Sequence, residues 1–346
     1  MTERPLAAAA PQAPPGQPSL FPTFRAHRGA IALLAAVAAA IWLLPALLDA
    51  LYLRVMISSV IFTIAAAGTA VLYARLGLVS LAQVALVGVG GWVTLRMWHA
   101  TGLPFEVDML VAAVVSAVIG MLVGLPALRM RGLFLALITL MAAAGFQILV
   151  TGTQFPNGGT GFLGVAVTSI FMARPTLGQT DEAMLRYVCV IAVLCFLLVE
   201  ANRRSRAGRA WALIRKSESC AMAAGVHVAF YKLWAFALAG FLAGIAGGLL
   251  AGTIGVLDAT TFPASESVLL FALTVVGGAY SWMGQVLTGL LFRAAPALLN
   301  DIGVNGNLSY VIFGAGLLHA LITAPTGIAG QILGALGRFA RGRSSS

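Results

Sequence analysis

LWAFALAGFLAGIAGGLLAGTI, residues 233–254, is a continuous apolar stretch without a single charged side chain. A helix that crosses the hydrocarbon layer of a membrane needs about 20 such residues, so this stretch is long enough to span it. Gly240, Gly244, Gly248 and Gly252 recur every four positions, which places them on one face of that helix. Because small residues let helix backbones approach closely, the pattern predicts a membrane helix packed tightly against its neighbours.

The composition of the whole chain indicates the same environment. Hydrophobic residues make up 60% of the 346 residues, charged residues only 9%, and the mean hydropathy is +0.97. A soluble domain of this length needs far more charge on its surface, whereas a surface facing lipid needs none. The predicted fold class is therefore an all-α polytopic membrane protein.

Ten segments are apolar enough to cross the membrane, some of them only marginally. They are 30–48, 51–74, 78–97, 107–126, 132–151, 185–201, 233–254, 266–281, 284–300 and 307–324. Only Trp282 and Met283 separate 266–281 from 284–300, so these two form either one long helix or a hairpin. Positive charges collect on the cytoplasmic side of membrane proteins, and ten transmembrane helices with both termini cytoplasmic place most of the 21 Lys and Arg residues there.

Three regions follow from this division of the chain. Residues 1–24 form a Pro/Ala-rich N-terminal tail that cannot bury a core and is expected to be disordered. Residues 25–330 form the transmembrane domain, and residues 331–346 form a basic cytoplasmic C-terminal tail. Within the transmembrane domain, the arginine-rich segment 202–232 is the longest basic interruption, and it is expected to meet a partner in water.

The basic segment has the composition of a short surface helix. It contains SRAGRAWALIR at 205–215, and the Ala-rich stretch 209–224 consists of good helix formers followed by a stop at Gly225. This helix is too short and too polar to span, so it is expected to lie along the cytoplasmic face. It either binds anionic lipid through its arginines or docks into the cleft of another protein.

The order of residues in this segment resembles one family: the LivM-type permease subunits of branched-chain amino acid ABC importers. The resemblance extends from about 55 to 330, with further landmarks at Gly77 to Gln83, Asn157 to Gly161, Gly277-Gly278 and Ala324 to Gly327. It implies that 202–232 is a coupling segment that engages an ATPase. The residues expected to carry the coupling are Gly208, Arg209, Arg215, Glu218, Ala221, Gly225, Tyr231 and Lys232.

The resemblance also implies a set of partners in the bacterial inner membrane. These are two ABC ATPase subunits, a LivH-like sister permease, a periplasmic solute-binding protein and membrane lipid, without nucleic acid. The chain has only two lysines, Lys216 and Lys232, and neither follows a phosphate-binding glycine loop. No bound cofactor is therefore expected, and ATP is expected to be used by the partner subunits.

Four uncharged polar residues in the predicted spans are candidates for a translocation path: Ser80, Gln83, Thr139 and Gln147. The alternative for each is a hydrogen bond between helices. Arg293 falls in the middle of a span, where it either lines a pore or interface, or snorkels or pairs with a neighbouring helix. The outer loop 152–184 is either a docking surface for the solute-binding protein or a plain solvated loop.

Other classes of protein fit the residues less well. No paired carboxylates share a helix face within a span, and no Ser/His/Asp cluster or Cys/His metal spacing is present, so neither catalytic nor metal-binding residues are predicted. An ion-coupled secondary transporter of small solutes remains the main alternative, although no acidic residue falls clearly at the middle of a predicted span. A membrane scaffold protein whose basic segment binds lipid is a further alternative.

Overall fold

A computed structural model describes residues 45, 49–130, 132–153, 171–257, 261–303, 308, 314–315 and 327–331. Helices and their connections make up this part of the chain, which contains no β-strand. The N-terminal tail, the C-terminal tail after residue 331, and most of the predicted spans 30–48 and 307–324 lie outside the described residues. The number of spans and the side of each terminus therefore stay predictions.

The described residues form ten α-helices, which we number in chain order. They are α1 (Ala50–Ala70), α2 (Gln83–Thr101), α3 (Phe105–Gly124), α4 (Leu133–Thr153), α5 (Asp181–Arg204), α6 (Arg206–Lys216), α7 (Glu218–Ala223), α8 (Val228–Ile254), α9 (Ala264–Gly277) and α10 (Trp282–Asp301). A π-helical turn, Val71–Leu76, extends α1, and a 3-10 turn, Leu125–Leu128, extends α3. Five of these helices, α1, α3, α4, α5 and α8, are long and apolar enough to cross a membrane.

Helices α1 and α8 form the centre of the bundle. In α8, 83% of the most apolar 18-residue window is buried, and in α1 78%, whereas the corresponding share is 33% or less in α3, α4 and α5. The outward faces of these three helices carry large apolar side chains such as Leu137, Met141 and Leu194. An apolar outer surface of this kind matches lipid or another apolar protein surface rather than water.

The glycines of α8 make the close approach that their spacing predicts. A Cβ atom on Gly244 would lie 2.6 Å from the Cα atom of Ala113 in α3, and one on Gly252 would lie 2.7 Å from the ring of Phe105. On the α2 side, a Cβ on Gly90 would lie 2.5 Å from the Cα of Gly244. These distances are too short for a side chain at any of the three glycines, so backbone packs directly against backbone at Gly90 and Gly244, and the Phe105 ring packs against backbone at Gly252. The prediction of a tightly packed glycine face is confirmed.

Helices α9 and α10 decide whether the predicted spans 266–281 and 284–300 form one long helix or a hairpin. Four residues, 278–281, connect the helices, and Gly278 has a left-handed φ of 112°. The two helices then pack against each other as a hairpin. Gly284 lies against the carbonyl of Gly278, which leaves no room for a side chain at this turn. The reading as one long helix is wrong.

Several predicted boundaries need correction. The span predicted at 78–97 begins as a helix only at Gln83, because Gly77 takes a left-handed φ of 72° and residues 77–82 run without helical structure. The span predicted at 185–201 extends over all of α5, since Thr180 caps its N-terminus by accepting a hydrogen bond from Ala183 N at 3.2 Å. The loop predicted at 152–184 therefore ends before Asp181, and its residues 154–170 lie outside the described part.

Candidate coupling site

Helix α6 lies against the bundle through an amphipathic face. Ser205 caps its N-terminus, with its Oγ accepting a hydrogen bond from Ala207 N at 3.1 Å. The buried positions are Ala207, Ala210, Trp211 and Ile214, which recur at helical spacing. Trp211 is 1% exposed, and its indole Nε1 donates to the backbone carbonyl of Tyr231 at 2.9 Å. This one side chain therefore fixes α6 against the start of α8.

The Ala-rich stretch predicted as one helix is two helices. Ser217 adopts an extended backbone between α6 and α7, with φ −164° and ψ 125°, and its Oγ accepts a hydrogen bond from Cys220 N at 3.3 Å. Serine competes with helical hydrogen bonds by capping, which explains a break that the alanine content conceals. The predicted stop is confirmed, because Gly225 has a left-handed φ of 76°.

An ion pair ties α7 to α8. Lys232 Nζ lies 2.8 Å from Glu218 Oε1, and the side chain of Lys232 is only 2% exposed while that of Glu218 is 18% exposed. The same ammonium group donates to the carbonyl of Ala127, at the end of α3, at 3.0 Å. A buried ammonium needs such partners, since an unpaired charge in this environment is costly. Three elements therefore meet at Lys232.

Arg215 connects α6 to two further parts of the bundle. Its guanidinium donates to the carbonyl of Ala74, at the end of α1, and to the hydroxyl of Tyr280 in the turn between α9 and α10. Its Cζ also lies 5.1 Å from the centre of the Tyr280 ring, within cation–π range. A movement of α6 must therefore act on α1 and on the α9–α10 hairpin together.

The outward face of the segment is basic. Arg206, Arg209 and Lys216 are exposed, whereas Arg203 and Arg204 both pair with Glu200, at 2.5 and 2.6 Å. Arginines presented in this way suit an acidic or phosphate-bearing partner surface. We call the end of the bundle that holds residues 202–232 the segment side, and its other end the opposite side.

The eight predicted coupling residues occupy different positions in this arrangement. Arg215, Glu218 and Lys232 form the contacts above, and Tyr231 takes part through its backbone carbonyl. Ala221 is fully buried in α7, and Gly208 is required because a Cβ there would collide with the carbonyl of Arg203. Arg209 is exposed, and Gly225 ends α7. Whether these residues engage an ATPase stays a prediction.

Two residues of this network were not predicted. Trp211 could have been found from the helical spacing of the apolar positions around it. Tyr280 could not, because it lies 65 residues from Arg215 in sequence and only the packing of α9 and α10 brings it near.

Three of the four predicted path residues make hydrogen bonds between elements. Gln83 Nε2 donates to the carbonyls of Ala65 in α1, at 3.2 Å, and Ala239 in α8, at 3.1 Å. Thr139 Oγ1 accepts from Leu81 N at 2.9 Å. Gln147 does the same, since its Oε1 accepts from the first amide of α9 at 3.1 Å. Ser80 is buried in the segment before α2. These contacts favour the interhelical alternative, and a path through them stays a prediction.

Comparison with known proteins places this architecture in a family. Residues 51–321 match the family described as "Branched-chain amino acid transport system / permease component". The chain belongs to this permease family. It is accordingly a multi-pass membrane protein, and the resemblance of its residues 202–232 to LivM-type permeases agrees with that membership.

Individual relatives support the same assignment. The chain is 26% identical over 291 residues to the high-affinity branched-chain amino acid transport system permease protein LivM of Salmonella typhimurium, and equally to that of Escherichia coli K12. Each alignment covers 78% of this chain and 68% of the relative. The autoinducer 2 import system permease protein LsrD of Photorhabdus laumondii is 26% identical over 238 residues, which cover 66% of this chain and 70% of LsrD. No solved structure matches the chain.

Proposed function

We propose that this chain is a permease subunit of an ATP-driven importer that carries branched-chain amino acids or a related small polar solute across the bacterial inner membrane. Two ATPase subunits would supply the energy, a sister permease would complete the path, and a periplasmic solute-binding protein would deliver cargo. The ten-span topology with cytoplasmic termini belongs to this proposal. The distribution of Lys and Arg along the sequence supports it.

The observation that carries the proposal is the attachment of the segment 202–232 to the bundle. Trp211 attaches α6 to α8, Lys232 attaches α7 to α3 and α8, and Arg215 attaches α6 to α1 and to the α9–α10 hairpin. Short helices held at several points transmit a push to the membrane helices instead of absorbing it. The exposed arginines on the outer face would contact the ATPase that delivers the push.

Copurification tests the partnership directly. The tagged full-length chain, isolated from membranes of its own host, is expected to bring ATPase subunits with it. Recovery of the intact chain without any ATPase would contradict the proposal. An ion-coupled carrier would give that outcome, and its uptake would also continue without the ATPases.

Gly225 offers a matched pair of variants for the coupling role. Gly225→Ala forces a side chain into a left-handed backbone, at a cost of about 1 kcal/mol, although nothing lies within 4 Å of the new Cβ. Gly303→Ala imposes the same strain at φ 83° on the opposite side, again with open space around the Cβ. Gly225→Ala is expected to lower uptake and transport-coupled ATP hydrolysis, with normal membrane insertion. Equal uptake by the two variants would contradict the coupling role.

A further inference from the structure

Two oppositely charged side chains face the same cavities on the opposite side of the bundle. Glu266 lies in the first turn of α9, and Arg293 lies in α10, eight residues before its last residue Asp301. Both residues line a cavity of about 380 Å³ and a neighbouring one of about 400 Å³. Arg293 falls within the predicted span 284–300, and an ionisable residue within a membrane span is a candidate functional group by default, because burying it is costly.

Neither charge is neutralised by a direct ion pair in the described part of the chain. Arg293 Nε and Glu266 Oε2 are both buried and make no hydrogen bond there. The guanidinium of Arg293 instead stacks on Phe62, with Cζ 4.4 Å from the ring centre, and lies 5.3 Å from the ring of Phe292. Stacking on a ring holds a guanidinium in place and leaves its edge available to an anion.

The same cavities offer a second acceptor for a cation. Pro296 lies inside α10 and has no N–H, so the carbonyl of Phe292 lacks its usual helical donor. Phe292 and Pro296 both line the first cavity, beside Glu266. The remaining arginine of the second cavity, Arg54, is already engaged, since its Nε donates to Asp181 at 3.1 Å. In the described part of the chain, the two cavities therefore share one carboxylate and one guanidinium that make no direct ion pair with each other.

We propose that Glu266 and Arg293 bind the backbone of a free amino acid on its way through the protein. Arg293 would donate to the α-carboxylate, and Glu266, with the Phe292 carbonyl, would accept from the α-ammonium. The inference rests on the proposed function, for which it names the chemical class of cargo that the permease itself recognises. A zwitterion satisfies both groups at once, whereas a singly charged solute leaves one of them buried and unpaired.

The apolar lining fits an aliphatic side chain. Leu250, Ile254 and Val55 line the second cavity, and Leu269 lines the first. Small-molecule sites are typically concave and mostly apolar, with a few polar groups and volumes of about 300–1,000 Å³. The cavities lie at the far end of the bundle from residues 202–232, on the side where a solute-binding protein would release its cargo.

A labelling experiment tests this inference without altering either charge. Ser265 is exposed and lines the first cavity. Ser265→Cys, introduced into full-length chain with Cys189, Cys195 and Cys220 replaced by serine and assembled in the importer complex, is expected to react with a maleimide. L-leucine at millimolar concentration should slow this reaction several-fold. Leucinamide, which lacks the carboxylate, and 4-methylpentanoate, which lacks the ammonium, should have little effect.

Controls separate the site from general effects. Ala173→Cys is exposed on the same side but does not line either cavity, so its labelling should not depend on leucine. Equal protection by all three compounds would show that only the aliphatic chain is recognised. Absence of protection by leucine would show that the cavities do not hold this aliphatic amino acid. Either result overturns the proposal. The complex is labelled in lipid nanodiscs with and without phosphatidylethanolamine. Protection that depends on this lipid and not on leucine would assign the site to a lipid headgroup and also overturn the proposal.

Charge-neutral variants supply a transport readout. Glu266→Gln and Arg293→Gln are expected to lower leucine uptake roughly tenfold or more, the effect of losing one charge-assisted hydrogen bond. Copurification with the ATPases should stay normal. Glu182→Gln, at an exposed pair with Arg186 on α5, is the matched control and should transport normally. Unchanged uptake in both cavity variants would refute the site and leave the importer assignment intact. Failure of the wild-type chain to copurify with an ATPase would refute the importer assignment itself.

Discussion

The ion pair between Glu218 and Lys232 allows a quantitative test of how the coupling segment is held. Fully buried pairs cost about 3–5 kcal/mol when one partner is removed, and exposed pairs contribute about 0–1 kcal/mol. Here the lysine side chain is 2% exposed and the glutamate side chain 18%, at a distance of 2.8 Å. Glu218→Ala leaves the ammonium with the carbonyl of Ala127 alone, so we expect a loss of about 2 kcal/mol in local stability.

Hydrogen exchange of the amides in α6 and α7 measures this local stability in the purified complex. A loss of about 2 kcal/mol corresponds to a roughly 30-fold faster exchange of protected amides, because local opening governs their exchange. The double variant Glu218→Ala, Lys232→Met removes the unpaired charge and should recover about half of the lost free energy. Glu182→Ala, which breaks an exposed pair on α5, should change exchange by less than about threefold.

Two outcomes would refute this reasoning about the pair. Exchange in Glu218→Ala that equals wild type would mean that the segment does not depend on the ion pair. Effects of the two single substitutions that simply add in the double variant would mean that the two side chains do not interact in the folded protein. A confirmed interaction would predict that leucine uptake falls in Glu218→Ala and partly returns in the double variant.

Further predictions concern the hairpin contact, the glycine packing and the side of the membrane. Tyr280→Phe removes the hydroxyl that accepts from Arg215 but keeps the ring, and it should lower the solute transported per ATP without changing basal hydrolysis; an unchanged ratio would argue against this contact. Gly244→Val should destabilise the bundle by more than about 3 kcal/mol and reduce the folded yield on size-exclusion chromatography, whereas Gly145→Ala, with open space at its Cβ, should leave it unchanged. Cys220 is exposed and should react with an impermeant maleimide only from the cytoplasm, in inverted vesicles; reaction in intact spheroplasts would contradict the topology.

The glycine spacing of residues 233–254 correctly predicted a helix that packs tightly against its neighbours. The prediction succeeded because a period of four on a helix is a local property, and any neighbour that approaches such a face must do so closely. The predicted ends of the helices were less accurate, because a helix can end at a single residue. Ser217 and Gly77 end helices through a single capping or left-handed residue, and the surrounding composition hides such effects.

The contacts of the segment 202–232 were predicted only in part. The segment and its basic charge are evident from the sequence, and so is Gly225 as a helix stop. The partners of Arg215 are not, because Ala74 lies 141 residues away and Tyr280 lies 65 residues away. Gln83 was predicted as a path residue, yet its side-chain amide donates hydrogen bonds to backbone carbonyls of both α1 and α8. A polar residue in a span has the same appearance in sequence whether it binds solute or another helix.

The amino-acid sequence by itself determined that this protein is a membrane protein, that its helices pack closely at glycine residues, and that one basic segment interrupts the apolar helices. Each of these follows from composition or spacing, which act locally and need no knowledge of neighbours. Only the tertiary structure decided which helices Arg215 and Lys232 connect, and that Glu266 and Arg293 face common cavities. Contacts between distant positions depend on how the helices pack, and apolar helices of similar length can pack in many ways until side-chain shape selects one.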